Sequence, residues 1–578
     1  MAQQHHSVRA MKLSPAAELT EAADPLEEKR RRRMEAGLAL VFIVTPLVFM
    51  PMSRSPLVDP KVVTLLIGTL MIWAARPALD RGLATAAAVW VAVLALAGLF
   101  GVDWWWSTAG VRNLATGLLL LGPCAYLLVA GASVPREVAR RIPSWFFGTG
   151  VAVAVVAIVW RFAPAPLETL FPKLDLEGST LGHPVFLAGF AAAALVAAVG
   201  VAPRRPALFA IALIVVSSSL AISTKRAGWV AVAAGLAVII WRSKELRRRC
   251  AVVGLVVGVT LGVWTGAGAI FGTTELSAAG RFGQLTTSSG RNRILMYQAL
   301  FRAAIDRPVL GWGPGSTLGA YSASATPEEV GDGDRSAGDA HNILMESLVT
   351  SGIVGLSAFA FLIVVTVRRI GRAPPGWAAG AAAALAAFHL VQPMNVALTP
   401  LLFLTAGLAA APAEPADESG RRSIARTSIG VLLGAGILLS MVVFFASAFE
   451  QWGRSYNSEW SLRLSRTLAP PRVSSAEALA IHLAIDGRAG DEQAAAEAKE
   501  IAAATVAAHP WHPGVRLIAV DVDILVFDPK GAAAWLRDQL RVFPGDAGGL
   551  PDAALEFAKT GVLPESTLPE VDNSVPDQ

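Results

Sequence analysis

The chain has little charge and almost no cysteine, and each scarcity excludes a class of protein. Only 16% of its 578 residues are Asp, Glu, Lys or Arg, whereas 54% are hydrophobic, and the mean hydropathy is +0.52. A soluble protein needs more polar surface against water than this, so a soluble fold is excluded. The two cysteines, Cys124 and Cys250, lie in or beside apolar runs and predict neither a disulfide framework nor a cysteine-based metal site.

The apolar residues stand in long runs, which predict a membrane protein. Many runs are about 16 to 25 residues long, the length of helix that crosses a hydrocarbon core. The short alternating segments of a membrane β-barrel are not seen. We therefore predict an all-α fold, a polytopic transmembrane helical bundle of about 12 to 13 spans. The predicted spans lie near residues 36–53, 61–75, 83–100, 114–132, 145–161, 183–201, 207–222, 228–241, 250–271, 342–367, 376–394, 398–412 and 427–448.

Basic residues are concentrated in alternate connections between these spans, which predicts an orientation. "RSKELRRR" at 242–249 and "RRIGR" at 368–372 are examples, and the positive-inside rule puts them in the cytoplasm. The long connection 272–341 and, with an odd number of spans, the tail from 449 onward are then periplasmic, in a bacterial inner membrane. Because the basic residues stand beside spans, the formal charge of +5 predicts no nucleic-acid partner.

The polar segments define three predicted parts of the chain. Residues 1–35 are a cytoplasmic, disordered basic tail without the apolar region of a cleaved signal peptide. Residues 36–448 are the transmembrane domain, with 272–341 as its periplasmic catalytic loop. Residues 449–578 contain amphipathic helical segments, and "HP" at 509–510 recurs as "FP" 34 residues later, the period of tetratricopeptide helix pairs. We predict a helical-hairpin domain, with a tetratricopeptide-like domain as one alternative, that docks a protein partner or acceptor.

Ionisable residues beside spans on the outer face are functional candidates, because holding them at a membrane surface without a role is costly. They are Arg226 in "AISTKRAGWV", Arg291 and Arg293 in "SSGRNRILMYQALFRAAIDRPVLGWGPGS", and His341 in "DAHNILMESLVTSGIVGL". Structural interpretations stay open beside the functional ones. The arginines could snorkel to lipid headgroups or stay solvated at a helix start, and His341 could simply cap a helix.

Other aromatic and histidine residues have structural interpretations. Trp104, Trp105 and Trp106 are typical of the aromatic belt at a membrane interface. We expect His389 to pack within the bundle and His509 to have only a structural role in the C-terminal domain.

The candidate stretches resemble the signature region of the O-antigen ligase and polymerase superfamily, membrane glycosyltransferases of the GT-C type. In that pattern an Arg stands four residues before an aromatic residue, which stands eleven before the Pro of a "PxxGxGxG" turn. A helix headed by "HN" and containing "GxxG" follows. The positions that fit are Arg293, Tyr297, Pro308, Gly311, Gly313, Gly315, His341, Asn342, Gly352 and Gly355.

The resemblance extends upstream and covers roughly residues 36 to 412, with some departures. "STKRAG" is similar to the family's "SRG" loop and maps its arginine to Arg226, although Lys225 replaces a Ser. "GSTLGHPVFLAGF" is similar to "GxxxNPNxxA", with His183 where Asn is usual. Tyr297 replaces the usual Trp, and "RNR" leaves Arg291 as a second candidate beside Arg293.

The resemblance implies an O-antigen ligase-like glycosyltransferase that moves a glycan from undecaprenyl diphosphate to an acceptor hydroxyl. The acceptor would be lipid A-core, another glycan or a protein, and membrane lipids would surround the site. Guanidinium groups bind phosphate oxygens bidentately, so Arg226 and Arg293, with Arg291 in reserve, would hold the diphosphate. His341 would act as general base, supported by Asn342, Tyr297, Gly313 and Gly315.

Alternatives from the same and from another class stay open. Within the superfamily the chain could be an O-antigen or exopolysaccharide polymerase or a protein O-oligosaccharyltransferase. A non-catalytic flippase or carrier of lipid-linked glycan would be expected to show weak internal repeats and mid-span charges, and neither is seen. "DGD" at 332–334 could bind a metal, but its Gly- and Asp-rich setting is typical of a solvated loop. We expect a metal-independent reaction without a cofactor.

Overall fold

The computed structural model describes residues 25–110, 114–171, 174, 176–270, 288–332, 337–412 and 424–563. Every regular element in these ranges is helical, so the all-α prediction is confirmed. Residues 1–24 of the predicted basic tail and residues 272–287 and 333–336 of the predicted loop lie outside the described residues, and the latter include Gly333 and Asp334 of "DGD".

The first half of the chain contains thirteen α-helices among its described residues. They are α1 (Pro25–Ala39), continued by a π-helical turn (Leu40–Val44) and α2 (Thr45–Leu47), then α3 (Asp59–Ala74), α4 (Arg81–Leu99), α5 (Trp104–Ala109), α6 (Leu118–Gly131), α7 (Arg136–Ala139), α8 (Ile142–Phe162), α9 (Ala165–Leu170), α10 (Pro184–Ala198), α11 (Pro206–Ile222), α12 (Arg226–Arg242) and α13 (Arg247–Ile270).

The second half completes the bundle and adds a group of shorter helices. These helices are α14 (Ser288–Asp306), α15 (Thr317–Ser324), α16 (Pro327–Asp332), α17 (Ile343–Arg372), α18 (Trp377–His389), α19 (Thr399–Ala409), α20 (Ile424–Tyr456), α21 (Glu459–Leu468), α22 (Val473–Arg488), α23 (Glu492–Ala508), α24 (Val515–Leu525), α25 (Pro529–Val542) and α26 (Asp552–Thr560).

By length and composition, five helices in the described ranges are long and apolar enough to cross a membrane: α4, α7 with α8, α13, α17 and α20. Each of the thirteen predicted spans overlaps a helix, and the prediction of a polytopic helical bundle is confirmed. Several predicted spans are shorter as helices. The 13 residues of α18 and the 11 of α19 rise only about 20 and 16 Å, less than the hydrocarbon thickness of about 30 Å. Both pack inside the bundle, α18 against α12 and α19 against α6.

The C-terminal helices have their own apolar cores and are tied to the end of α20. That helix continues through the predicted domain boundary at 449 as far as Tyr456. Its Glu450 is fully buried, accepts a hydrogen bond from Ser474 Oγ at 2.9 Å and lies 3.3 to 3.6 Å from three guanidinium nitrogens. A buried carboxylate needs such partners, so this cluster fixes the C-terminal helices against the bundle. The three guanidinium nitrogens near Glu450 belong to Arg54, Arg454 and Arg472.

Candidate active site

A turn after α14 and a break in α17 fit together at the end of the bundle where α17 begins, which we call the His341 end. Gly352 interrupts α17 with φ +64° and ψ −168°, a backbone conformation that glycine adopts and other residues avoid. The break leaves backbone groups without helical partners, and turn 308–315 supplies them. The hydrogen bonds run from Trp312 N to Val349 O (3.0 Å), from Gly313 N to Thr350 O (2.8 Å) and from Ile353 N to Pro308 O (2.8 Å).

Gly313 and Gly315 let the same turn approach α5 closely. Both have positive φ, +102° and +70°. A Cβ on Gly313 would lie 2.6 Å from Ser107 Oγ, and one on Gly315 would lie 2.6 Å from Trp106 O. These two predicted supporting residues therefore shape the turn, and they place α5 beside it.

His341 stands directly before Asn342, the cap of α17, and is held by Asp339. Its backbone has φ +52°, uncommon outside glycine, and its N–H donates to Asp339 Oδ1 at 2.7 Å. Its ring Nδ1 lies 3.0 Å from the backbone oxygen of Asp339. Because a carbonyl oxygen only accepts, this contact favours the tautomer with the proton on Nδ1 and makes Nε2 the accepting nitrogen. Asn342 Oδ1 caps α17 by accepting from Leu344 N and Met345 N.

Two buried carboxyl groups, those of Asp339 and Glu346, accept hydrogen bonds from the backbone at His341 and Ala340. Asp339 Oδ2 accepts from Met394 N at 3.2 Å, and Glu346 accepts from Thr317 Oγ1 at 2.7 Å and from Ala340 N at 2.8 Å. Burial, and next the charge of Glu346, raise the pKa of Asp339 well above its usual range. The pair joins the start of α17 to α15 and to the connection between α18 and α19. Sequence analysis missed both residues, although an acid inside an apolar helix is itself a signal.

Arg293 and Tyr297 lie one helical turn apart on α14, and Tyr297 packs against the apolar cluster that includes residues of the loop before His341. Arg293 and Tyr297 are half-buried, whereas Arg291 is exposed. Burial raises the pKa of the Tyr297 hydroxyl, the charge of Arg293 opposes that rise, and the charge of Asp339 adds to it. Tyr297 is therefore near both charges, and it connects Arg293 on α14 with the loop that contains Asp339 and His341.

An apolar stripe runs along the exposed face of α14. Ile294, Phe301 and Ile305 are 54 to 61% exposed and fall on one side of the helix. In a membrane protein such a stripe suits the lipid interface. It would put the adjacent arginines at the level of lipid headgroups.

Arg226, the first residue of α12, lies at the His341 end by helix register. A Cβ on Gly235 would contact the side chain of Ala384, and one on Gly380 would contact Ile239, so α12 and α18 are antiparallel. Nine residues before Gly235, Arg226 is level with the connection that follows α18. That connection contains Met394, whose N–H bonds Asp339. Arg226 itself is half-buried.

His183, which replaces the family's usual Asn, is exposed and caps a helix. Its ring Nδ1 accepts from Val185 N at 3.2 Å at the start of α10. An Asn side chain caps a helix in the same way, so the replacement preserves a local structural role.

Within the described ranges, one group of His and acidic side chains is close enough to share an ion: Glu459, His482 and Asp486. It lies on α21 and α22, among the C-terminal helices. Glu459 is also paired with Arg463 at 2.5 Å.

The C-terminal helices pack on α5, which corrects the interpretation of its tryptophans. Trp104 is exposed, but Trp105 and Trp106 are only 8% and 5% exposed and therefore pack within the protein. The ring of Trp106 lies 5.0 Å from that of His512. The prediction of an aromatic belt is wrong for Trp105 and Trp106, because both are buried within the protein, Trp106 against a segment 400 residues away.

His509 makes the most specific contact between α5 and the C-terminal helices. Its Nδ1 lies 2.6 Å from Asp103 Oδ2, and both side chains are buried. The other oxygen of Asp103 caps α5 by accepting from Trp105 N and Trp106 N. One carboxylate thus starts α5 and holds the C-terminal helices, a link that no local sequence pattern signals.

Residues 211–360 of the chain match the family described as O-Antigen ligase. The matched segment contains Arg226, Arg293, turn 308–315 and His341. The resemblance to the O-antigen ligase superfamily is therefore confirmed over this segment of the membrane bundle. A search of curated proteins finds no match to the chain.

Proposed function

We propose that the protein is an O-antigen ligase-like enzyme that transfers a glycan from undecaprenyl diphosphate to an acceptor hydroxyl. The observation that carries the proposal is the packing of Tyr297, one helical turn after Arg293, against the loop that contains Asp339 and His341, all within the family-matched segment. The positive-inside pattern supports a periplasmic site at the inner membrane. Acceptors such as lipid A-core are the first class to test.

The donor diphosphate needs fixed positive charge at the membrane surface. Arg293 is half-buried one helical turn before Tyr297, and its guanidinium can bind phosphate oxygens bidentately. Arg226 stands at the start of α12, where the helix dipole is itself positive. A cation is unfavourable there unless an anion is bound, which suits a diphosphate site. Arg291 is exposed and is the weaker candidate.

The acceptor hydroxyl needs a base, and the contact of His341 with Asp339 favours the required tautomer. With the Nδ1 proton directed at the backbone oxygen of Asp339, Nε2 can take the hydroxyl proton. The hydroxyl oxygen then bonds to the anomeric carbon as the bond from that carbon to the phosphate oxygen breaks. The diphosphate leaves with that electron pair, and the arginines stabilise its growing charge.

Transfer by the purified protein in detergent, with undecaprenyl diphosphate-linked glycan and lipid A-core, tests the proposal. Arg293→Lys should lose almost as much activity as Arg293→Ala, because a point charge cannot replace a bidentate fork. Arg291→Lys, two residues away and exposed, is the matched control and should retain activity. Full activity of Arg293→Lys would refute the diphosphate role.

The products separate the remaining alternatives. A ligase forms core-linked glycan, a polymerase lengthens the lipid-linked glycan, and a protein oligosaccharyltransferase needs a polypeptide acceptor. A flippase or carrier forms no new glycosidic bond in detergent, where there are no leaflets to cross. Absence of any transferred product with all three acceptors would reject the enzymatic proposal.

A further inference from the structure

A cavity of about 420 Å³ lies between the bundle and the C-terminal helices. Its walls come from α3, α5 and α20 on one side and from α22 and α24 on the other. The volume is within the usual range for small-ligand sites, roughly 300 to 1,000 Å³. It is separate from the loop that holds His341.

The lining combines indole rings with carboxyl groups. Trp105 and Trp106 contribute the aromatic surface, and Asp59, Glu477 and Asp521 contribute the acids. A sugar ring has apolar C–H faces that pack on an aromatic face and hydroxyls that donate to carboxylate oxygens. This pairing of indole and carboxyl groups is suited to a saccharide.

A buried polar group in the lining has a hydrogen-bonding atom without a partner. Ser440 is 5% exposed and its Oγ makes no hydrogen bond. Leaving a buried donor unsatisfied costs about 1–3 kcal/mol, so such a group requires an explanation. A polyhydroxylated ligand in the cavity would supply one, because a hydroxyl both donates and accepts.

The charge of the lining disfavours the diphosphate. Among the described lining residues three are acidic and one, Arg472, is basic. His512 adds no charge near neutral pH, because burial lowers its pKa to about 4. The diphosphate of the donor would be repelled here, whereas an uncharged sugar would not.

The cavity is linked to the candidate active site through α15. Thr317 bonds Glu346, which also holds the loop before His341, and the next residue, Leu318, lines the cavity. Trp106 lines the cavity too, and its backbone oxygen contacts the turn at Gly315. A ligand in the cavity is therefore one short helix away from the catalytic loop.

We propose that this cavity binds an uncharged sugar of the acceptor glycan and so positions the acceptor for transfer at His341. The inference rests on the proposed function and gives the C-terminal helices a part in acceptor binding.

The test is the kinetics of transfer by the full-length protein with Ser440→Ala, using lipid A-core as acceptor. Because Ser440 Oγ has no protein partner, its removal should not lower thermal stability, but it should raise the acceptor KM about 3- to 10-fold, the loss of one hydrogen bond. The donor KM should stay unchanged. Ser217→Ala is the matched control, since Ser217 Oγ is also buried and unpartnered but lies on α11, away from the cavity.

A second variant obstructs the cavity by a different route. Leu517 lines it and is 37% exposed, so Leu517→Trp should fold while raising the acceptor KM more than Ser440→Ala does. Leu432→Trp on the exposed face of α20 is its control. If wild type transfers glycan and neither cavity variant changes the acceptor KM, the inference fails alone. A rise in donor KM instead would assign the cavity to the donor glycan and overturn it. If wild type transfers nothing, the proposed function fails.

Discussion

Substitution of Gly352 by alanine tests how the turn and helix of the candidate active site fit together. The backbone there has φ +64°, and a Cβ would lie 2.2 Å from Val309 O and 2.4 Å from Val309 C, atoms that cannot rotate away. The strained conformation costs about 1–3 kcal/mol for a non-glycine residue. If turn 308–315 is pushed off α17, three backbone hydrogen bonds are lost at about 1 kcal/mol each. We expect a total destabilisation of about 4–6 kcal/mol.

The assay is unfolding of the purified variant, with Gly371→Ala as matched control. Gly371 lies in the same helix, and a Cβ there meets no atom within 4 Å. Alanine should therefore stabilise that position by about 0.5–1 kcal/mol. Gly352→Ala should unfold at a clearly lower temperature and lose transfer activity. Equal stability of the two variants would refute the account of the helix break.

Three further substitutions probe the cap, the interface and its pH dependence. Asn342→Ala should lower the free energy of unfolding by about 1 kcal/mol, because two backbone N–H groups lose their cap. His509→Ala should lower the free energy of unfolding by about 3–5 kcal/mol and speed proteolysis of the C-terminal helices, because it leaves Asp103 Oδ2 buried without its partner. The control His482→Ala should have neither effect. Burial lowers the pKa of His512 from 6.5 to about 4, so the unfolded chain binds the His512 proton more tightly than the folded protein does. The free energy of unfolding should therefore fall as the pH drops from 6.5 toward 4, by up to about 1.4 kcal/mol per pH unit. Unfolding at pH 7.5 and 5 should show this loss, and His512→Gln should reduce it; an unchanged pH dependence would contradict the burial argument.

The sequence was sufficient for the parts of the structure that local pattern determines. Apolar runs located the helices of the bundle, and the spacing from Arg293 to Gly355 located the turn and the helix that form the site. The register of α14 then distinguishes Arg293 from Arg291, a choice the sequence left open, because one is turned toward Tyr297 and the other is exposed.

Features that depend on distant contacts could not be predicted in this way. Asp339 is buried by a connection more than 50 residues further on, and Trp106 by helices 400 residues away. Hydropathy also overestimated the lengths of α18 and α19, because a short helix buried inside a bundle is as apolar as one that crosses the membrane. A short stretch of sequence determines neither the burial of a residue by distant segments nor the length of such a helix.

The most direct test of the central claim is single-turnover transfer by His341→Ala, measured together with donor binding. If His341 takes the proton of the acceptor hydroxyl, the variant should bind the lipid-linked donor as wild type does and transfer it about 10² to 10⁴ times more slowly. Transfer within a few-fold of the wild-type rate would contradict the account, and His341 would then be only the residue that precedes the cap of α17.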